Sequence, residues 1–124
     1  MIGQGNTEVL VFITMPRDQT AVDGNFVEFQ CSACSTLEPI IVWTFTRKGS
    51  IQSEVIDENS TFVDIIPGEN SLSLTINSVN WTYEGVYQCI ILTDNDLIEA
   101  EASLDVLLRS MTITLKEFLD SVTT

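Results

Sequence analysis

Three cysteines, Cys31, Cys34 and Cys89, are the most reactive side chains in this sequence, and no histidine accompanies them. Cys31-x-x-Cys34 has the spacing of a dithiol redox pair or of half a zinc site. Zinc would have to rely on three thiols, because the usual imidazole ligands are missing, and that is a poor donor set. The same lack removes the commonest general base. No Ser or Cys stands beside a plausible base, and no glycine loop of the phosphate-binding kind occurs. Acid pairs are plentiful but define no evident cleft, so the residues argue against an enzyme and call for no cofactor. "TDNDLIE" at 93–99 could offer carboxylates to calcium, yet it lacks the ordered ligand spacing of a known loop and reads as a solvated hairpin tip. Two N-x-S/T triplets, Asn59-Ser60-Thr61 and Asn80-Trp81-Thr82, are acceptor sequences for N-linked glycans.

Composition narrows the partners. The 124 residues include 18 acids and 5 bases, a net charge of −13. Affinity for nucleic acid comes largely from Lys and Arg on phosphates, so nucleic acid is excluded, as is an anionic membrane surface. A basic protein partner is the complementary expectation. An apolar fraction of 44% supports one domain with a real core. No apolar run approaches the ~18 residues of a membrane span. "MIGQGNTEVLVF" lacks the basic start and small-residue cleavage site of a secretory leader. Met1 is therefore expected to begin an excised piece, with any membrane contact made through segments outside it.

The elements that must hold these residues are short strands. Turn signals recur at Met15-Pro16, Asp23-Gly24, Glu38-Pro39, Lys48-Gly49, Pro67-Gly68 and Asp94-Asn95-Asp96, with Val-, Ile-, Phe- and Thr-rich runs between them. "FVEFQCSA" places Val27, Phe29 and Cys31 on one face and Glu28, Gln30 and Ser32 on the other. "SLSLTIN" sets Leu72, Leu74 and Ile76 against Ser71, Ser73, Thr75 and Asn77. "EASLDVLL" sets Ala102, Leu104 and Val106 against Glu101, Ser103 and Asp105. A period of two with one polar face predicts half-buried antiparallel strands. They are expected at 7–14, 19–22, 25–33, 40–47, 51–56, 61–66, 71–77, 85–93 and 98–108. Residues 1–6 are a lead-in and 7–108 the domain. The tail 109–124 differs: "TLKE" has the form of a capping box, and Leu115, Phe118, Leu119 and Val122 follow helical spacing. A short amphipathic helix is expected there, and it would need something to pack on.

Cys31, Trp43 twelve residues later, and "GVYQC" with Tyr87 two before Cys89 resemble the immunoglobulin superfamily, in its intermediate set with some variable-set character. The likeness extends over 7–108. "TAVDGNFVEFQCSA" is similar to the family's A′–B passage, with Pro39 at a common position before Trp43. "SLSLTINSV" is similar to strand E, and "CIILTDNDLIEAEASLDV" to F, hairpin and G. The resemblance implies an all-β, two-sheet antiparallel sandwich with Cys31 bridged to Cys89, which displaces the Cys31-x-x-Cys34 redox or zinc alternative. It implies Trp43 packed on the bridge and Tyr87 as a corner residue after Gly85. Closing a loop of that length is worth roughly 4 kcal/mol. Cys34 is then the odd thiol, free or joined to another chain. One departure stands out: Tyr83 occupies the place of the family's usual Asp, and no arginine or lysine lies between Lys48 and Arg109 to pair with one. Tyr83 and Trp81 are expected to fill that corner with apolar contacts.

The resemblance and the bridge imply an extracellular or cell-surface glycoprotein, with glycans at Asn59 and Asn80. Strand parity supplies the functional clue. If Ile41, Trp43, Phe45, Tyr87, Cys89 and Ile91 point inward, then Val42, Ile90 and Leu92 point outward, rimmed by Glu99, Glu101 and Asp105. An apolar patch with a charged rim predicts a contact surface, and related domains commonly bind through this face. Protein recognition in adhesion or receptor–ligand binding is the expected function, with a heterophilic, basic partner. The alternatives are a structural spacer in a multi-domain extracellular or sarcomeric protein, and an accessory subunit of a membrane channel, to whose β subunits "WTFTRKGS" bears a loose likeness. The residues also allow a dimer through the tail or Cys34, and cover of the patch by the tail.

Overall fold

The structure, a computed structural model, describes residues 8–108; the lead-in and the expected tail helix fall outside the described residues. Ten strands follow one another: β1 Leu10–Thr14, β2 Gln19–Val22, β3 Val27–Phe29, β4 Ser32–Ser35, β5 Ile40–Arg47, β6 Ser53–Ile56, β7 Asp64–Gly68, β8 Ser71–Ile76, β9 Gly85–Leu92 and β10 Leu97–Leu107. A 3-10 turn, Trp81–Tyr83, precedes β9. One sheet holds β1, β4, β8, β3 and β7; the other runs β2-β10-β9-β5-β6.

The pairing is antiparallel, as the alternation predicts, with one exception. β2 runs parallel to β10. β1 pairs with β4 in the first sheet, and the chain then crosses to the second. Pro16 lies in the crossing, where its missing N–H ends the ladder of β1. Asp18 fixes the landing point by accepting a hydrogen bond from the backbone of Ser103 at 2.9 Å. The strand expected at 25–33 is broken between β3 and β4. Its middle is tied instead by Leu72 N to the Cys31 carbonyl at 3.0 Å and Ala33 N to that of Asn70 at 2.9 Å. β6 begins at Ser53 rather than 51, leaving Ile51 in solvent. β7 begins at Asp64 rather than 61, because Phe62 and Val63 turn inward to the core.

Alternation fills the space between the sheets. Val27, Phe29, Cys31, Trp43, Phe45, Leu74, Ile76, Tyr87, Cys89, Ile91, Ala102, Leu104 and Val106 are all buried. Thr75 points outward yet is buried too, shaded by its cross-strand neighbours Glu28 and Asp64. Cys31 and Cys89 form the disulfide across the sandwich. Trp43 stands opposite Cys89 on β5, and its indole N–H donates to the Leu72 carbonyl at 2.8 Å, so the ring is buried without an orphaned donor.

A column of stacked rings runs beside the bridge. Phe29 and Phe45 lie on either side of Tyr87 in register, with centroids 4.8 and 4.7 Å from it. Phe45 meets Phe62 at 5.6 Å, and Phe62 stacks on Tyr83 at 4.7 Å. The Tyr87 hydroxyl closes the column by donating to the Tyr83 carbonyl at 2.6 Å. Tyr83 thus fills the corner expected of it through Phe62. Trp81 does not: it is 61% exposed, because the 3-10 turn points its ring away from the core. Asn80 caps that turn, its Oδ1 accepting from the Thr82 backbone at 2.8 Å and from the Thr82 hydroxyl.

Burial, foremost, pushes the Tyr87 phenol well above the ordinary tyrosine value near 10, with Tyr83 adding to the rise. The sign of the linkage follows. Above pH 10 the unfolded chain loses this proton while the folded chain keeps it, so stability is full below pH 10 and falls as pH rises. Tyr87→Phe removes the bond to Tyr83 and is expected to cost about 1–2 kcal/mol at pH 8. By pH 11 the gap to wild type narrows by about 1.4 kcal/mol, since the variant has no phenol to ionise. Urea unfolding at the two pH values checks this, and a constant gap would mean the phenol titrates normally when folded.

Candidate protein-interaction face

The outer side of the β6-β5-β9-β10 sheet is built by parity: each residue next to a buried one faces solvent. Across it, the register sets rows. Val42 stands opposite Ile90, and Ile90 opposite Glu99. Ile40 stands opposite Leu92, and Leu92 opposite Leu97. Thr44 stands opposite Gln88, and Gln88 opposite Glu101. The five residues singled out from sequence, Val42, Ile90, Leu92, Glu99 and Glu101, therefore occupy one contiguous area. Val42, Ile90 and Leu92 are half-buried, while Glu99 and Glu101 are exposed.

Three apolar members escaped the sequence. Ile40 and Leu97 flank Leu92 and are 61% and 52% exposed; Val55, opposite Thr44 on the edge strand β6, is 61% exposed. Ile40 follows from the parity that gives Val42. Leu97 was expected in the hairpin, and Val55 proves to lie on an edge strand, where alternation carries less information. Asp105 lies on the same outer side but toward the other end of β10, beside Thr20 of β2. The outward positions of β5, β9 and β10 carry no Lys or Arg, so the acids on β10 leave the apolar rows with a one-signed border.

The hairpin at one end of this face is held by its own polar atoms. Thr93 N donates to the Asp96 carbonyl at 2.9 Å, and the Thr93 hydroxyl accepts from Asn95 N and Asp96 N at 3.3 and 3.2 Å. Asp96 Oδ1 accepts from Leu97 N at 2.8 Å, and Asn95 Nδ2 donates to the Glu8 carboxylate at 2.9 Å. Those side chains are engaged with the chain itself, and among the described residues no three Cys, Asp or Glu converge as metal donors.

The remaining sites lie elsewhere. Cys34 is a free, exposed thiol on β4, on the outside of the other sheet and opposite Val11. Asn59 is exposed between β6 and β7, its backbone N–H donating to Asp57 Oδ1 at 2.9 Å. Asn80 keeps its Oδ1 for the turn, which leaves Nδ2 as the free end of the amide. Sequence inspection also missed Glu84, whose Oε2 accepts from Val106 N at 2.8 Å and joins the start of β9 to the end of β10.

No curated protein sequence matches this chain. Solved structures share the fold at low identity. A chain of the titin M10–obscurin-like 1 Ig complex superposes with a TM-score of 0.66 at 24% identity, over 82% of this chain and 97% of that one. A chimeric titin Z1Z2 carrying a decorin peptide gives 0.70 at 19%, over 83% and 99%. The twitchin kinase region from C. elegans gives 0.66 at 20%, over 79% of this chain and 16% of that one. The family model described as an immunoglobulin domain matches residues 11–91. That stretch holds the Cys31–Cys89 bridge, Trp43, Gly85 and Tyr87, and the chain belongs to the immunoglobulin domain family.

Proposed function

We propose that this immunoglobulin domain is an extracellular or cell-surface recognition module that binds another protein through the outer face of β5, β9 and β10. The observation that carries the proposal is the pair of apolar rows, Ile40–Leu92–Leu97 and Val42–Ile90, bordered by Glu99 and Glu101. Solvated strands normally present polar side chains outward, as β8 does with Ser71 and Ser73. An apolar centre with a charged border is the anatomy of a protein contact. The acids choose a partner with basic character. A chain at −13 repels its own copy, which favours a heterophilic contact. The Cys31–Cys89 bridge supports an oxidising compartment, and there Asn59 and Asn80 are glycan acceptors.

In the test, the domain is secreted from cultured animal cells, tetramerised, and used to stain cells that display candidate partners. Ile90→Arg with Leu92→Arg is expected to weaken binding about 30-fold or more, the scale of a hot-spot loss. Both side chains point away from the core, so melting should move by no more than about 2–4 °C. Binding that survives both substitutions places the contact elsewhere. Peptide mapping of the same secreted material reads the bridge and the two glycans, and unmodified asparagines with free Cys31 and Cys89 would remove the extracellular assignment.

A further inference from the structure

β1 is apolar on both of its faces. Leu10 and Phe12 pack in the core, while Val9, Val11 and Ile13 alternate with them and are 37%, 51% and 67% exposed. A strand with one solvated face alternates apolar with polar, and apolar residues on both faces mark a strand that is covered on both. The cover is not an added strand. Ile13 is passed over in the pairing with β4, and such a bulge at an edge breaks the regular ladder that a further strand would need. What lies open is the outer face.

That face is also free of charge. Neither β1 nor β4 carries an acid or a base. Cys34 stands opposite Val11, Ser32 opposite Ser71, and Ser73 opposite Ile66, which is 50% exposed. Charges begin at the rim, with Glu28 and Asp64 opposite Thr75 and Glu69 in the β7–β8 turn. Glu8, next to Val9, is drawn to the other sheet by Asn95. A neutral surface offers nothing to a basic partner or to an acidic one. A second copy is repelled wherever the acids of two chains at −13 meet, and here they stay apart. Two copies can approach across this face, whereas Glu99 and Glu101 oppose them on the recognition face.

We infer that two copies of this chain pack back to back through the outer face of β1 and β4, about a two-fold axis close to Val11 and Cys34. A two-fold axis lets one patch serve both copies, and it brings a residue beside the axis near its own counterpart. Cys34, exposed and free, then lies near Cys34 of the second copy. The recognition faces point in opposite directions, so a dimer links partners on facing surfaces. The contact uses neither the recognition face nor its partner, and the two assignments can fail separately. β1 is about 17 Å long and lies three strand spacings, about 14 Å, from β7. That is less than the roughly 800 Å² each partner gives to a standard interface, so the expected dissociation constant is on the order of 100 µM.

Sedimentation equilibrium of the full 124-residue chain, with a reductant present, reads the association from about 5 to 500 µM. The average mass should rise towards that of a dimer. Val11→Glu with Ile13→Glu sets like charges against each other across the axis and is expected to weaken association at least about 30-fold, leaving a monomer throughout. Both positions are exposed, and an unchanged melting curve checks that the variant folds. A short bis-maleimide joins two thiols without oxidation, and it needs no surface variant. It should link wild-type chains in proportion to the dimer and fail with Cys34→Ser. Ile90→Arg with Leu92→Arg should leave the dimer intact. A wild-type monomer at every concentration overturns the inference. So does a dimer that survives the two glutamates, or one lost on the arginine substitutions, because each places the contact elsewhere. A dimer that the bis-maleimide cannot link moves the axis away from β4 and overturns it as well.

Discussion

Replacing Cys31 and Cys89 together by alanine is expected to remove at least about 4 kcal/mol of stability, the unfolded-state entropy released by opening a loop of 58 residues. Domains of this size are stable by about 5–15 kcal/mol, so the loss takes a large share of the total. The rest of the core does not compensate. The bridge lies between the sheets, and both cysteines are buried, so each alanine also leaves the space of a sulfur atom beside Trp43. The ring column from Phe29 through Tyr87 to Phe45 packs independently of the sulfurs, and it should keep the variant folded but marginal. Urea unfolding of the double variant against wild type reads the difference. A loss under about 1 kcal/mol would show that the bridge hardly constrains the unfolded chain. It would also show that the domain can stand in a reducing compartment, which removes the stability argument for an extracellular setting. Reduction by dithiothreitol is a second readout and should lower the urea midpoint in wild type only.

The inner half of this protein was legible in the sequence because its signals are covalent or periodic. Cys31, Trp43 and "GVYQC" are tied to fixed positions, and a period of two sorts Val27, Phe29, Leu74, Ile76 and Leu104 inward without ambiguity. Parity alone was also enough to bring Val42, Ile90 and Leu92 to one outer face. It failed where alternation gives way to local hydrogen bonding. Asp18 and Glu84 each satisfy a backbone N–H that becomes orphaned only after the strands are in place, so nothing in their sequence neighbourhoods announces them. Trp81 was expected to fill the corner left by the missing Asp and its basic partner. The cap at Asn80 sets the direction of the 3-10 turn, and the ring follows the turn. The parallel partnership of β2 with β10 was hidden for a similar reason, since it depends on which sheet the chain joins after Pro16.

Gly85 offers the other large effect, and its cause is steric rather than entropic. Its φ is +151°, and a Cβ built there would lie 2.1 Å from the Thr46 carbonyl oxygen, 2.9 Å from Phe45 Cε1 and 3.0 Å from Arg47 Cα. Thr46 and Arg47 are backbone neighbours in β5, paired with Val86 and Gly85 themselves. Relief therefore requires β5 and β9 to separate where they are hydrogen-bonded, or Phe45 to leave its stack on Tyr87. Gly85→Ala is expected to cost about 3 kcal/mol or more, the sum of overpacking and a backbone conformation that L residues avoid. Gly24 and Gly49 supply the scale. Their φ values are +93° and +84°, yet a Cβ at either meets nothing within 4 Å. Alanine there carries only the conformational cost, about 1 kcal/mol each. Urea midpoints of the three variants separate the contributions. If Gly85→Ala matches the other two, β5 moves freely enough to admit a methyl group. In that case the recognition rows on the outside of β5 and β9 would not be a rigid surface either.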